Sequence, residues 1–250
     1  MHGHHVNSPF WNRGNRKVKP VESEMTLLLT KEQTKQMSVS EINDLINETF
    51  QYDDYAWQKE KGRRVKFKDR ASGLHHALYQ CPACNTEHKM TSEGITISCT
   101  GCGKTWEMSE LGELAAVSGE TEFSHIPDWY DWQRANVRKE IIDGTYLFKR
   151  DVRIESLPNT NGLVEFPKPG FLVHDNNGFI LTGEYDEVPF SLSWGASSLY
   201  GCQIEFNFKD RGDCITLSTN DDTFYIYPKG DDFSVTKILL ATEEMHRLRA

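Results

Sequence analysis

The sequence predicts an α+β protein: a helical N-terminal linker, a small four-cysteine ribbon, an aromatic helix and an antiparallel β-domain closed by a helix. Three observations carry this. Apolar residues recur at helical spacing before residue 61 and again over 128–143. Two CxxC pairs crowd into 22 residues, Cys81 to Cys102. From about residue 150 the period changes to 2, with Asn, Gly, Pro and Asp clusters between short apolar runs.

In chain order, HGHH, Phe10-Trp11 and the basic run RGNRKVK lack periodicity, and the His-rich start (His2, His4, His5) reads as an unstructured terminus or a cloning remnant, with a second metal site as the alternative. Residues 24–30 read as a strand or an irregular packed segment. Ser38 and Glu41 have capping-box spacing, and Ile42, Leu45, Ile46 and Phe50 follow at helical spacing, predicting a helix over 39–49. A second helix is expected over about 53–61, ended by Gly62. The basic stretch 61–70 reads as a solvated loop or edge strand, with contact to phosphates of a lipid or nucleotide as the alternative.

CPAC (81–84) and CTGC (99–102) are separated by fourteen residues. Both sulfurs of one tight CxxC turn can reach one ion, and two such turns supply four soft donors, the preference of Zn2+. Cys81, Cys84, Cys99 and Cys102 are the expected metal ligands, with iron in place of zinc, or two redox pairs, as the alternatives. Pro82, Asn85, Gly101 and Gly103 suit the turns. Residues 87–90 and 95–98 are expected to pair as the ribbon's arms. Four thiolates leave no open coordination position, so the site reads as structural and not catalytic. Cys202 and Cys214 read as buried thiols of one hairpin, with a disulfide or a reactive thiol as the alternative.

After the ribbon, Leu111, Leu114 and Ala115 suggest a short helix. Pro127 then opens a stronger one over 128–143, stopped by Gly144. It reads as a domain-packing helix, with a membrane interface as the alternative. The expected strands are 152–156, 162–166, 170–174, 178–182, 188–193, 199–208, 214–217 and 223–227, before a terminal amphipathic helix carrying Ile238, Leu239, Met245 and Leu248. Eight short strands and one helix suggest a small barrel or sandwich resembling the pleckstrin-homology architecture.

Composition narrows the function. Lys and Arg number 28 against 37 Asp and Glu, a net charge of −9. The acidic surplus lies after residue 80, which argues against a nucleic-acid partner. No apolar run approaches a membrane span, and no signal peptide is apparent. The expectation is therefore a cytoplasmic protein, with peripheral contact on the inner face of the membrane left open. GxSxG, Walker A, GxGxxG and HExxH motifs are all missing. His125 beside Asp128 and Asp131 reads as a helix entry, and His174-Asp175 as a hairpin turn.

The phrases PVESEMTLLLT, SVSEIND, YDDYAWQ, LHHALYQCPAC, CGKTWEMSELGEL, ETEFSHIPDWYDWQRANVRKE, ESLPN and DTFYIYPKG span nearly the whole chain. In them it resembles the C-terminal region of bacterial 1-acyl-sn-glycerol-3-phosphate (lysophospholipid) acyltransferases of phospholipid biosynthesis. In that family a catalytic HxxxxD motif precedes this region, its His acting as general base on the acceptor hydroxyl. No histidine here has Asp five positions later, so no catalytic residue carries over. The resemblance implies that residues 1–36 are the end of the catalytic domain, 37–80 a helical linker, 81–106 the zinc ribbon, 107–149 a helical segment and 150–250 the β-rich domain. Met1 would then mark an internal start or a gene break. The function expected is an accessory portion, inactive alone, whose partner is an acyltransferase catalytic domain or polypeptide. The alternative is a zinc-ribbon interaction module binding a protein, lipid headgroups or nucleic acid.

Overall fold

Two antiparallel sheets, each leaning on a helix, organise the chain in a computed structural model that describes residues 2–12, 21–158 and 162–249. The basic run 13–19 lies outside the described residues. Ahead of the first sheet come α1 (His4–Asn7), α2 (Lys31–Gln36), α3 (Val39–Thr49), α4 (Asp54–Glu60) and α5 (Leu74–Ala77). The N-terminus is not the unstructured segment expected. The Asp54 carboxylate accepts the backbone N–H groups of Gly3 at 2.7 Å and Val6 at 2.8 Å, pinning α1 to α4. Val6 and Trp11 are buried as a result.

Residues 24–30 form no strand, and Met25 and Leu27 are 99% and 77% exposed. The next two helices are well capped but touch little. Thr30 with Gln33 and Ser38 with Glu41 form reciprocal capping boxes, yet neither α2 nor α3 has a buried residue. α3 covers the expected span, and α4 stops at Gly62, whose φ of 58° suits glycine.

The first sheet is a meander of β1 (Met90–Glu93), β2 (Thr96–Cys99), β3 (Thr105–Met108) and β4 (Leu114–Ala116). Its first hairpin joins Met90 to Cys99 and Glu93 to Thr96, so the arms lie further along than the expected 87–90 and 95–98. β4 replaces the helix expected around Leu111 to Ala115. The Ser109 hydroxyl accepts the N–H groups of Leu111 and Glu113, and Gly112 has φ 84°, which turns the chain back onto β3. Ile97, Trp106 and Leu114 form the inner face and pack on Trp129 of α6 (Ile126–Ile142). Trp106 and Trp129 meet edge to face, 5.0 Å between centroids.

All eight expected strands recur in the second sheet with shifted ends: β5 (Leu147–Ser156), β6 (Val164–Glu165), β7 (Gly170–Asp175), β8 (Gly178–Tyr185), β9 (Val188–Gly195), β10 (Gln203–Glu205), β11 (Cys214–Ser218) and β12 (Thr223–Pro228). The order is β10-β11-β12-β5-β7-β8-β9, with β6 on the far end of β5. This corrects the closed barrel. β9 and β10 remain separate edges, and Trp194 Nε1 of β9 donates across to Ser218 O of β11 at 2.7 Å. The long strand expected over 199–208 stops at Glu205, because Asn207, Lys209 and Asp210 take left-handed φ values of 43°, 52° and 60°. Pro189, lacking an N–H, lies in edge strand β9. Gly178 (φ 112°) is required at its hairpin, since a Cβ would stand 2.1 Å from Trp194 O. Finally α7 (Val235–Arg247) buries Val235 and Ile238 against Ile154, Leu172, Leu181 and Ile226. Its other side packs on α6, where Glu244 takes Arg138 at 2.8 Å and Arg134 at 3.2 Å.

Candidate metal centre

The two CxxC turns are built alike. In the first, the Cys81 N–H donates to Thr86 O and the Asn85 N–H to Cys81 O, each at 2.9 Å. In the second, the Cys99 N–H donates to Lys104 O at 2.9 Å and the Gly103 N–H to Cys99 O at 2.8 Å. Asn85 (φ 58°) and Gly103 (φ 77°) occupy the same place, the left-handed residue that lets each loop double back. The loops face each other, and the four sulfurs converge.

Cys81 Sγ is 3.8 Å from Cys102 Sγ, Cys84 Sγ is 3.8 Å from Cys99 Sγ, and all four lie within 4.8 Å of one another. Sulfurs at the corners of a tetrahedron, about 2.3 Å from its centre, stand about 3.8 Å apart. The donor set and spacing fit a metal ion, and none of the four is in a disulfide. Among the described residues it is the only group of three or more such ligands. Cys81 and Cys99 are buried, Cys84 half-buried and Cys102 exposed, so one edge faces solvent.

Metal-free, the thiols differ. Burial pushes Cys81 and Cys99 up, opposed by N–H groups of Ala83 and Cys84 on the first and of Gly101 and Cys102 on the second. Cys84 is drawn down to about 6, chiefly by the Thr86 hydroxyl 3.2 Å away. Metal binding would make all four thiolates. An ion held by all four has no vacant position for water or substrate.

The other residues singled out have structural partners. His125 meets Asp53 at 2.7 Å rather than Asp128 or Asp131. His174 is buried, stacked 3.7 Å from Phe179 with Tyr146 Oη 3.0 Å from its Nδ1, and burial pushes it down to about 3. Cys202 and Cys214 are free and buried, each pushed up to about 12, first by burial. In the basic stretch, Arg63 pairs with Glu22, Arg64 with Glu110, and Arg70 Nε donates to Met108 O at 2.7 Å. The aromatic helix is α6: Gln133, fully buried, joins Gln80 N and Ala77 O, and Trp129 Nε1 donates to Gln80 O.

Sequence reasoning missed the ties across the molecule. Lys237 Nζ lies 2.8 Å from Glu87 and 2.9 Å from Glu140, and His76 lies 2.8 Å from Asp213. Buried Glu155 gathers Arg153, Arg211 and Tyr227. The partners are mostly far apart in sequence, and no local spacing announces them. Among the described residues no helix is long and apolar enough to cross a membrane. Comparison with protein-family models, curated proteins and solved structures finds no match.

Proposed function

We propose that this chain is a zinc-stapled accessory module of a lysophospholipid acyltransferase, holding and docking to a catalytic polypeptide without transferring acyl groups itself. The observation that carries the reading is the arm 24–52. Met25, Leu27, Val39 and Phe50 are exposed along a segment whose helices are individually capped. Such a preformed apolar arm suits packing against another surface. It straddles the point where, by resemblance, the end of a catalytic domain (1–36) passes into a helical linker (37–80).

Zinc is the ion favoured by four thiolates at tetrahedral spacing. Bound there, it supplies a cross-link and no Lewis-acid chemistry. This chain's own residues do the rest. The twin loops orient the sulfurs, Trp106 and Trp129 shield the inner side, and the Glu87–Lys237–Glu140 bridge ties the first loop to both long helices. The setting is the cytoplasm or the inner face of the membrane. Docking to a protein partner other than an acyltransferase is the second reading, favoured by the same arm.

The test is co-expression with an HxxxxD-bearing acyltransferase catalytic polypeptide. The expected result is co-purification, one zinc per chain by elemental analysis, and no acyl transfer to lysophosphatidate from this chain alone. Leu27→Asp with Phe50→Asp should weaken co-purification at least tenfold at unchanged zinc content. Turnover by the isolated chain, or no complex with the catalytic polypeptide, would overturn the proposal.

A further inference from the structure

Where the two sheets meet, clefts of about 330 and 550 Å³ share His88, Phe233 and Ser234. These volumes match ordinary small-molecule sites. We propose that this groove binds a phosphate group, held at its centre by His88 and Arg150. The inference does not rest on the accessory reading above.

His88 follows the first cysteine loop and holds a left-handed backbone, φ 58°, with its N–H on Tyr79 O at 3.0 Å. Strained backbone of this kind is frequent where a side chain must be aimed. Its Nε2 lies 3.4 Å from Glu87, while Nδ1 is buried without a partner. Arg150, also lining the smaller cleft, gives Nη1 to Asp232 at 2.7 Å and leaves its buried Nε–H without an acceptor. Tyr79, a wall of the larger cleft, is 3% exposed, and its hydroxyl too has no partner.

Unmet donors define the ligand. Arg Nε can only donate, and a phenol donates readily. The carboxylates lining the smaller cleft are already engaged: Lys237 bridges Glu87 and Glu140, and Arg150 holds Asp232. What is lacking is a cluster of acceptor oxygens. A phosphate group supplies three of them, and wherever it keeps one proton, as inorganic phosphate does near neutral pH, an O–H for the Nδ1 lone pair. The α7 N-terminus, capped by Ser234 in the shared wall, adds its positive end. The phosphate could be free or the headgroup of a lipid, and the chemistry is common to both.

The experiment is titration of the metal-loaded full chain with inorganic phosphate, followed by NMR at the His88, Ser234 and Arg150 Nε–H signals, with sulfate and acetate as controls. Flotation with vesicles of phosphatidylcholine alone or with phosphatidate forms the second arm. Saturable shifts with phosphate at sub-millimolar dissociation constant, at least tenfold weaker in His88→Gly and in Arg150→Met, support a free phosphate ligand. Silence to phosphate with flotation only on phosphatidate vesicles, lost in both variants, supports a headgroup. His88→Gly accepts the left-handed backbone without a Cβ, so its fold should survive, as metal content will show. Neither phosphate nor vesicle binding, equal response to acetate, or binding undiminished in both variants would overturn the proposal.

Discussion

The four-stranded and eight-stranded sheets each cover an apolar core, but only the first has a candidate metal site beside it among the described residues. β1 to β4 are three or four residues long, and two of the sheet region's core residues, Cys81 and Cys99, are themselves metal-ligand candidates. β5, β8 and β9 run to eight or ten residues, over a core of Val152, Ile154, Leu172, Leu181, Ile215 and Ile226 that needs no ion. The contrast teaches that short strands can share one apolar core, here Ile97, Trp106, Leu114 and Trp129, with a four-thiol cluster whose coordination bonds would add to it.

Removing the metal breaks this comparison most directly. Structural Zn2+ contributes about 10–16 kcal/mol in small peptides. Chelation, or Cys99→Ser, should therefore unfold β1–β4 while β5–β12 persist. Hydrogen exchange should show protection lost at Ile97 and Trp106 and kept at Ile154 and Ile226. Equal loss in both sheets would mean that they form one cooperative unit.

A smaller effect is expected at the seam. Burial works against ionised Glu87, but the His88 hydrogen bond and the Lys237 charge outweigh it and hold the carboxyl below the usual range. Lys237→Met leaves Glu87 and Glu140 without their shared cation. Because these groups are partly exposed, the cost should be about 2–3 kcal/mol, below that of a fully buried pair. Urea unfolding should show it, and Glu140→Gln added to Lys237→Met should recover part.

The smallest effect sharpens the β-domain side through pH. Folded His174 titrates at about 3 because burial disfavours its cation, against about 6.5 unfolded. The unfolded chain therefore takes up the proton first as pH falls. Stability is full above about 6.5 and declines through the acid range, by about 2 kcal/mol at pH 5 from this residue. His174→Gln should flatten that slope in urea melts compared at pH 7 and pH 5. An unchanged slope would remove His174 as the cause.

What could be read from sequence was what neighbouring residues decide. The Ser38–Glu41 box, the Gly62 and Gly144 stops, the two cysteine loops with Asn85 and Gly103, and the eight period-2 runs all depend on residues close in the chain. What escaped depends on long reach. Asp54 orders the N-terminus across some fifty residues, Lys237 reaches Glu87 across 150, and Asp213 finds His76 across 137. Leu111, Leu114 and Ala115 have helical spacing, yet the Ser109 hydroxyl turns the chain at 109–113 and Leu114–Ala116 pairs as β4. The barrel failed to close because the left-handed residues 207, 209 and 210 cut short the strand that would have sealed it.

That unsealed seam has a consequence for behaviour in a crowded solution. Two bare lips of backbone would invite copies of the chain to zip together into fibrils. One lip, however, carries Pro189, and the other is the three-residue stub Gln203–Glu205. The molecule can thus tolerate its gap without being sticky, and replacing that proline would be the shortest route to aggregation.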